Sequence, residues 1–262
     1  MERTSVTVGV ELELFVRVLT DRSGEVHNWD GLDEDGRNEQ VRRWMKEHLE
    51  QSGITANVED EPPIGTSYDA WSIGVDSSVQ LVKTSGNYEF YGIELRSPKF
   101  STSEYHDKIM KLYNVLRKAF EIDVDASCGT HVHTRREDGW NDVDLFRISK
   151  GVIRYEDDVT KMYPARENNT YAQRNSLVFD KGKGLEGILA HINSFEGKEN
   201  ARKLLVNAIS PDNYRAWNFG HLTGEKGECG TIEFRLPPGS GTAELCLKAI
   251  DFTVECVTQK FQ

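Results

Sequence analysis

Four short segments carry ionisable side chains that an ordinary amphipathic strand would not need. In Gly9-Val10-Glu11-Leu12-Glu13-Leu14 the two glutamates stand two apart, so on an extended strand both carboxylates leave one face. Like charges so close repel and raise each other's pKa unless a cation neutralises them. Hard oxygen ligands suit Mg²⁺, Mn²⁺ or Ca²⁺. Trp71-Ser72-Ile73-Gly74-Val75 leads to Asp76 at a strand end, and Gly92–Pro98 carries Glu94 between Ile93 and Leu95, which face the other way. In Cys128-Gly129-Thr130-His131-Val132-His133 both imidazoles share a face. With carboxylates nearby, one can ligate a metal and the other donate to a phosphate. In Gly230-Thr231-Ile232-Glu233-Phe234-Arg235 a carboxylate and a guanidinium share a face, a pairing that phosphoryl transfer uses.

Each segment alone has a plain reading: a solvated outer face, a turn-forming Asp, an exposed Glu, a structural His, a same-face ion pair. Four such segments on one sheet face are much harder to ascribe to coincidence.

The elements that must position these groups follow from periodicity. Residues 5–18 alternate, with Val6, Val8, Val10, Leu12 and Leu14 on one side, as in a half-buried strand. Residues 20–37 read as a loop, Glu39–Gln51 as an amphipathic helix stopped near Gly53, and Asn57–Ser67 as a loop with Pro62, Pro63 and Gly65. Tyr68–Val75 and Tyr88–Arg96 read as strands joined through Ser85-Gly86-Asn87. Ser101 or Ser103 is placed to cap a helix running to about Phe120, with Ile109, Leu112 and Leu116 in its apolar stripe. Ser127–Thr134 reads as a strand and Asn141–Val159 as a helix with Val143, Phe146, Ile153 and Val159 apolar. Residues 161–184 form a long polar loop and a candidate lid. Leu185–His191 is a short helix, Tyr214–Asn218 and Gly230–Arg235 are strands, and Thr242–Val257 is a closing helix. Hairpin-like strand pairs rather than regular βαβ units predict α+β with an antiparallel sheet.

Composition bounds the function. The 262 residues suit one large domain, or two small ones sharing a core. A formal net charge of −11 makes nucleic acid and anionic lipid poor partners, though metal ions could still bridge carboxylates to ATP. The N-terminus shows no signal-peptide pattern and no apolar run suits a membrane span. Four cysteines without a CxxC pair are expected to be reduced thiols in a cytoplasmic protein.

Taken in order, GVELEL, W-x-I-x-x-D-x-S, IELRSP, CGTHVH, Trp217-Asn218 with Leu222, and GTIEFR resemble the amidoligase family, a branch of the glutamine synthetase and glutamate–cysteine ligase superfamily of carboxylate–amine ligases. The resemblance runs from about residue 6 to about residue 257, and implies one catalytic domain over residues 1–262. It implies a glutamine-synthetase-like antiparallel sheet with the active site on its concave polar face and helices on the other. It also implies ATP and two or more Mg²⁺ (or Mn²⁺) ions. Metal ligands would be Glu11, Glu13, Glu94, His131 and Glu233. His133 would lie near the nucleotide, with Arg166 and Arg235 toward phosphate. Arg235 would stabilise the transferred phosphoryl group. Asp76 would stand near the acceptor substrate or metal, and the segment with Arg166, Asn169, Tyr171 and Arg174 near substrate and phosphate, Arg174 there in a catalytic role.

The chain is short for that superfamily and carries no recognisable glutamate- or cysteine-binding signature. Small-molecule and peptide acids and amines therefore stay open as substrates, as does the oligomeric state. Two rivals remain at this stage. One is another metal enzyme, a phosphohydrolase or a non-heme oxygenase, although the carboxylates outnumber what a two-His-one-carboxylate iron site needs. The other is a non-catalytic nucleotide or metal sensor on a ligase fold.

Overall fold

The computed structural model describes residues 5–19, 31–59, 69–223 and 229–261. The architecture is α+β with mostly antiparallel strands. In chain order the elements are β1 (Val6–Val18), α1 (Glu34–Gln51), β2 (Ala56–Val58), β3 (Trp71–Gly74), β4 (Val82–Ser85), β5 (Tyr88–Arg96), β6 (Phe100–Ser101), α2 (Tyr105–Ala119), β7 (Phe120–Asp123) and β8 (Thr130–Arg136). They continue with α3 (Asp142–Met162), α4 (Gly184–Asn193), α5 (Ala201–Ile209), β9 (Trp217–Asn218), β10 (Ile232–Phe234) and α6 (Ala243–Glu255). The chain divides into two compact units. One comprises Gly9–Thr130 and Gly239–Lys248; the other comprises residues up to Val8, His131–Pro238 and residues from Ala249 onward.

In the unit of Gly9–Thr130, β5 runs antiparallel to β1 with Glu13 opposite Glu94 and Glu11 opposite Arg96. β3 flanks β5 with Gly74 opposite Glu94. The alternation of β1 holds through Leu12. From Glu13 to Val16 both faces are buried, because Phe15 packs with Val79, Phe90 and Cys128. That second core puts Glu13 inside, at 3% exposure, where the pattern alone would put it in water.

α1 starts five residues before the predicted Glu39. Asp33 caps it by accepting the Gly36 N–H at 2.9 Å. The buried Asn38 then donates to the carbonyls of Gly92 at 2.8 Å and Leu81 at 3.1 Å, fixing the helix to β5. Gly53, at φ 68°, takes the left-handed conformation just past the helix end. Asn57 and Val58, read as loop, form β2 in parallel pairing with β3. Pro62, Pro63, Gly65 and Tyr68, and most of the 20–37 loop, lie outside the described residues.

The polar connection before β5 is itself a hairpin. β4 pairs with β5 from Val82↔Tyr91 to Ser85↔Tyr88, turning through Gly86 at φ 61°. Neither Ser101 nor Ser103 caps α2. Glu104 stands at its start without a side-chain cap, and its carboxylate accepts from the Ser101 N–H and hydroxyl. The helix stops at Ala119 because Phe120 begins β7, which pairs with β1.

In the unit of His131–Pro238, β10 lies between β8 and β9, with Glu233 opposite both His133 and Asn218. Trp217 stacks on Phe234 at 4.3 Å between ring centroids, and Phe261 meets Trp217 edge-on at 5.3 Å. These rings anchor a core shared with Leu145, Ile148 and Val152 of α3. Asn141 caps α3, accepting the Asp144 N–H at 2.8 Å. Val143 was expected on its apolar stripe but is 74% exposed, since the buried face passes through Leu145 and Ile148.

The sequence reading missed α5, and the expected strand Tyr214–Asn218 is ordered as strand only at Trp217–Asn218. Residues 161–184 are less open than expected of a lid. Short helical turns at Pro164–Arg166 and Asn175–Val178 interrupt them. Asn175 is fully buried, accepting from the Trp217 N–H at 3.0 Å and donating to its carbonyl at 2.7 Å. Such anchoring opposes hinge motion at that point.

None of the four cysteines is joined in a disulfide. Among the described residues, no helix is long and apolar enough to cross a membrane.

Candidate functional site

In the unit of Gly9–Thr130, the register sets three carboxylates against one another. Oxygens of Glu13, Asp76 and Glu94 lie within 4.8 Å of one another. Glu13 and Glu94 face across adjacent strands, and Asp76 follows β3. Asp76 is held in a turn, accepting the Ser78 N–H at 2.7 Å. Glu13 accepts the N–H of Gly129, while its own N–H donates to the Gly129 carbonyl at 3.1 Å. Burial and then the charge of Glu11, added to by Asp76 and Glu13, push the Glu94 carboxyl up to about 8 against the opposing pull of Arg96. Arg96 pairs with both Glu94 and Glu59. Ser97 ties this strand end to β1, its hydroxyl accepting the Val10 N–H at 2.8 Å.

In the unit of His131–Pro238, Glu233 is 1% exposed and surrounded by donors. Arg235 pairs with its Oε1, so the plain ion-pair reading of E-x-R describes this contact. Asn218 Nδ2 donates to Oε2 at 2.8 Å, and His221 Nε2 lies 3.1 Å from the same oxygen. His131 Nδ1 and His133 Nε2 lie 3.6 and 3.8 Å from Oε1. Ligand atoms of His133, His221 and Glu233 fall within 4.8 Å of one another, a second set able to hold a cation. Arg235 Nε also donates to the Tyr171 carbonyl at 3.3 Å. That contact brings the 161–184 segment against the strand carrying Glu233. Arg166 is buried, whereas Arg174 is partly exposed and paired with Asp157 and Glu167.

Two groups beside Glu233 were missed from the sequence. His221 sits in the turn after β9, where no periodicity marks it. Cys229 shares its spacing with Thr231, Glu233 and Arg235, so extending the period-2 reading back by two steps would have found it. Its Sγ lies 2.9 Å from Thr231 Oγ1. Burial would raise the thiol, but hydrogen bonds with His133, His221 and Thr231 outweigh it and bring Cys229 down to about 5. Hydrogen bonds with Cys229 and then Glu233 raise His221 to about 9, against burial.

The strands thus present partly buried clusters whose donors are mainly carboxylates and imidazoles, with a set in each unit suited to a divalent cation. Residues 4–257 match the family described as "Putative amidoligase enzyme", and the chain belongs to that family. None of the curated proteins searched matches it.

Among solved structures, a Plasmodium falciparum glutamine synthetase is similar over 98% of this chain and 51% of its own, at 12% identity and TM-score 0.46. GmaS without ligand is similar over 100% and 56%, at 14% identity and TM-score 0.41. A GmaS/ADP complex is similar over 98% and 55%, at 15% identity and TM-score 0.42. The chain spans about half the length of these structures.

Proposed function

We propose that residues 1–262 work as one catalytic domain that uses ATP to join a carboxylic acid to an amine. Membership of the amidoligase family supports the reaction class. The observation that carries the metal dependence is the Glu13–Asp76–Glu94 cluster, where a carboxyl held near pH 8 by burial and like charge is relieved by a divalent cation. All-oxygen donors fit Mg²⁺ or Mn²⁺. Glu13, Glu94 and Asp76 would hold one ion, and Glu11, His131 and Glu233 are further ligands. The bound ions would supply charge neutralisation between an attacking carboxylate and the phosphates of the nucleotide.

A carboxylate is a poor electrophile, so the substrate acid takes the γ-phosphoryl group of ATP to become an acyl phosphate, and the amine then displaces phosphate. In this reading Arg235 exchanges part of its contact with Glu233 for oxygens of the phosphoryl group in flight, where its planar fork matches their geometry. His133 donates to phosphate, and Arg166 and Arg174 serve the same side from the 161–184 segment. The substrates are small-molecule or peptide acids and amines. Four cysteines outside any disulfide favour a reducing compartment such as the cytoplasm.

The test is ADP release by the purified full chain from ATP and Mg²⁺ across a panel of acids and amines, with oxygen uptake and phosphate-ester hydrolysis measured in parallel. ADP that appears only with Mg²⁺ and rises with an acid–amine pair supports the ligase. Oxygen uptake or ester hydrolysis without acid-dependent ADP would replace it with one of the other metal enzymes.

A further inference from the structure

A cavity of about 280 Å³ opens in the unit of Gly9–Thr130, and no carboxylate of the Glu13–Asp76–Glu94 cluster lines it. Its walls come from the turn at residues 53–55, from Asp69 and Trp71 where β3 begins, and from the run between Pro98 and Lys111 of α2. Strand alternation sets the face on which it opens. Ser72 stands opposite Arg96 and donates to Glu59, and Arg96 pairs with both Glu59 and Glu94. Trp71, one residue earlier, therefore leaves the other face of β3. The cavity lies across the sheet from the carboxylate cluster.

Its charge reverses the balance of the chain. Acidic residues outnumber basic ones by 43 to 32 overall, but here Lys99, Lys108 and Lys111 share the lining with only Asp69 and Glu104. The Glu104 carboxylate is already engaged by the N–H and hydroxyl of Ser101. Lys111 Nζ donates to the Gly53 carbonyl at 3.0 Å, which pins that ammonium at the C-terminal end of α1 and leaves it two further N–H donors. Among the described residues, neither Lys99 nor Lys108 is in an ion pair. Solvated lysines are ordinary on a surface. These three differ in ringing a hollow that also has apolar lining, from Ile54, Trp71, Pro98 and Phe100. The rings of Trp71 and Phe100 stand 6.0 Å apart between centroids.

We propose that this cavity binds a small organic anion, its carboxylate or phosphate head among Lys99, Lys108 and Lys111 and its apolar body against Trp71 and Phe100. The volume of about 280 Å³ lies just under the roughly 300–1,000 Å³ usual for ligand pockets, so the occupant is a compact molecule and not a nucleotide. An inorganic ion alone would leave the apolar wall in water, and a neutral molecule would leave the ammoniums without a counter-charge. Each ammonium is a compact charge on a flexible stem, able to close on a planar or a tetrahedral head. The site stands apart from the proposed reaction by its place on the far face of the sheet, and it does not depend on the ligase reading.

The probes are benzoate and phenyl phosphate, with benzamide and inorganic phosphate for comparison. Each is titrated calorimetrically into the full chain in EDTA, which keeps the carboxylate cluster free of cations. The expected result is one site per chain for at least one of the two organic anions. That anion binds more tightly than benzamide, which lacks the charge, and than inorganic phosphate, which lacks the apolar body. Whether benzoate or phenyl phosphate is preferred identifies the head group. The double substitution Lys99→Gln/Lys108→Gln weakens this binding by at least about tenfold. Thr55→Glu, which sets a carboxylate at an exposed point of the wall, weakens it as well. Thermal melting shows that both variants fold.

Failure of both organic anions to saturate overturns the proposal. So does benzamide or inorganic phosphate binding as tightly as they do, or the same affinity in the folded variants as in wild type. None of these results bears on ADP release, so the ligase reading stands or falls separately.

Discussion

Glu94 is the residue whose charge state most directly reports the candidate site. Its folded-state pKa of about 8 lies above the ordinary carboxylate value of 4.5, so the folded chain keeps a proton that the unfolded chain releases. The metal-free protein should therefore lose stability as pH rises from 4.5 to 8, and Glu94→Gln should flatten that slope. Melting temperatures measured across this window with EDTA check it; a slope unchanged in Glu94→Gln would remove Glu94 as its cause. Substitutions at the other glutamates should divide by surroundings. Glu11→Gln relieves repulsion on Glu94 and should abolish turnover without loss of stability. Glu233→Gln also abolishes turnover, but it removes the charge partner of Arg235 and His221 in a buried place and should cost stability, roughly 3–5 kcal/mol. Arg235→Lys should lower kcat by on the order of 10²–10³ while changing KM for ATP far less, because a compact ammonium cannot reproduce a two-oxygen contact made in the transition state. Steady-state kinetics decide it, and a kcat within about threefold of wild type would return Arg235 to the role of a strand-holding ion pair.

Among the elements, the join between α1, β4 and β5 is the most sensitive to size. A Cβ at Gly92 would stand 2.1 Å from the Gln80 carbonyl oxygen, a contact with backbone that no side-chain motion relieves. Gly92 also carries the carbonyl that accepts from Asn38 and lies two residues before Glu94. Gly92→Ala should thus destabilise the fold by roughly 1–3 kcal/mol and, by shifting β5, weaken divalent-ion binding. Urea unfolding with and without Mg²⁺ measures both; an unchanged midpoint would show that the strand moves freely there. The 161–184 segment illustrates how polar composition misleads at this scale. Its residues are mostly those of a mobile loop, but Asn175 finds both backbone groups of Trp217, and a satisfied buried amide fixes the chain as firmly as an apolar one would.

At the scale of the whole molecule, the net charge of −11 and the clustered carboxylates make ATP binding depend on cations. ATP should raise the melting temperature only in the presence of Mg²⁺ or Mn²⁺, with a stabilisation of about 2.7 kcal/mol at a hundredfold excess over Kd. An equal shift from ATP in EDTA would argue against metal-bridged binding. Ligand candidates lie in each compact unit, Glu11, Glu13, Asp76 and Glu94 in one, His131, His133 and Glu233 in the other.

The sequence by itself determined which residues can do chemistry and which strands carry them. Side-chain direction on a strand repeats every two residues, so Glu11 with Glu13, His131 with His133, and Glu233 with Arg235 were legible without coordinates. The ordered motifs gave the family as well. Tertiary structure alone decided which of these groups are buried, and against what. Glu13 is inside because Phe15 turns the other face of β1 into core, and Glu94 titrates high because burial, and then the charge of Glu11, disfavour its ionised form. His221 reaches Glu233 from a turn, where backbone geometry has no fixed period. Contacts of that kind depend on how separate segments pack, and no pattern along the chain records them.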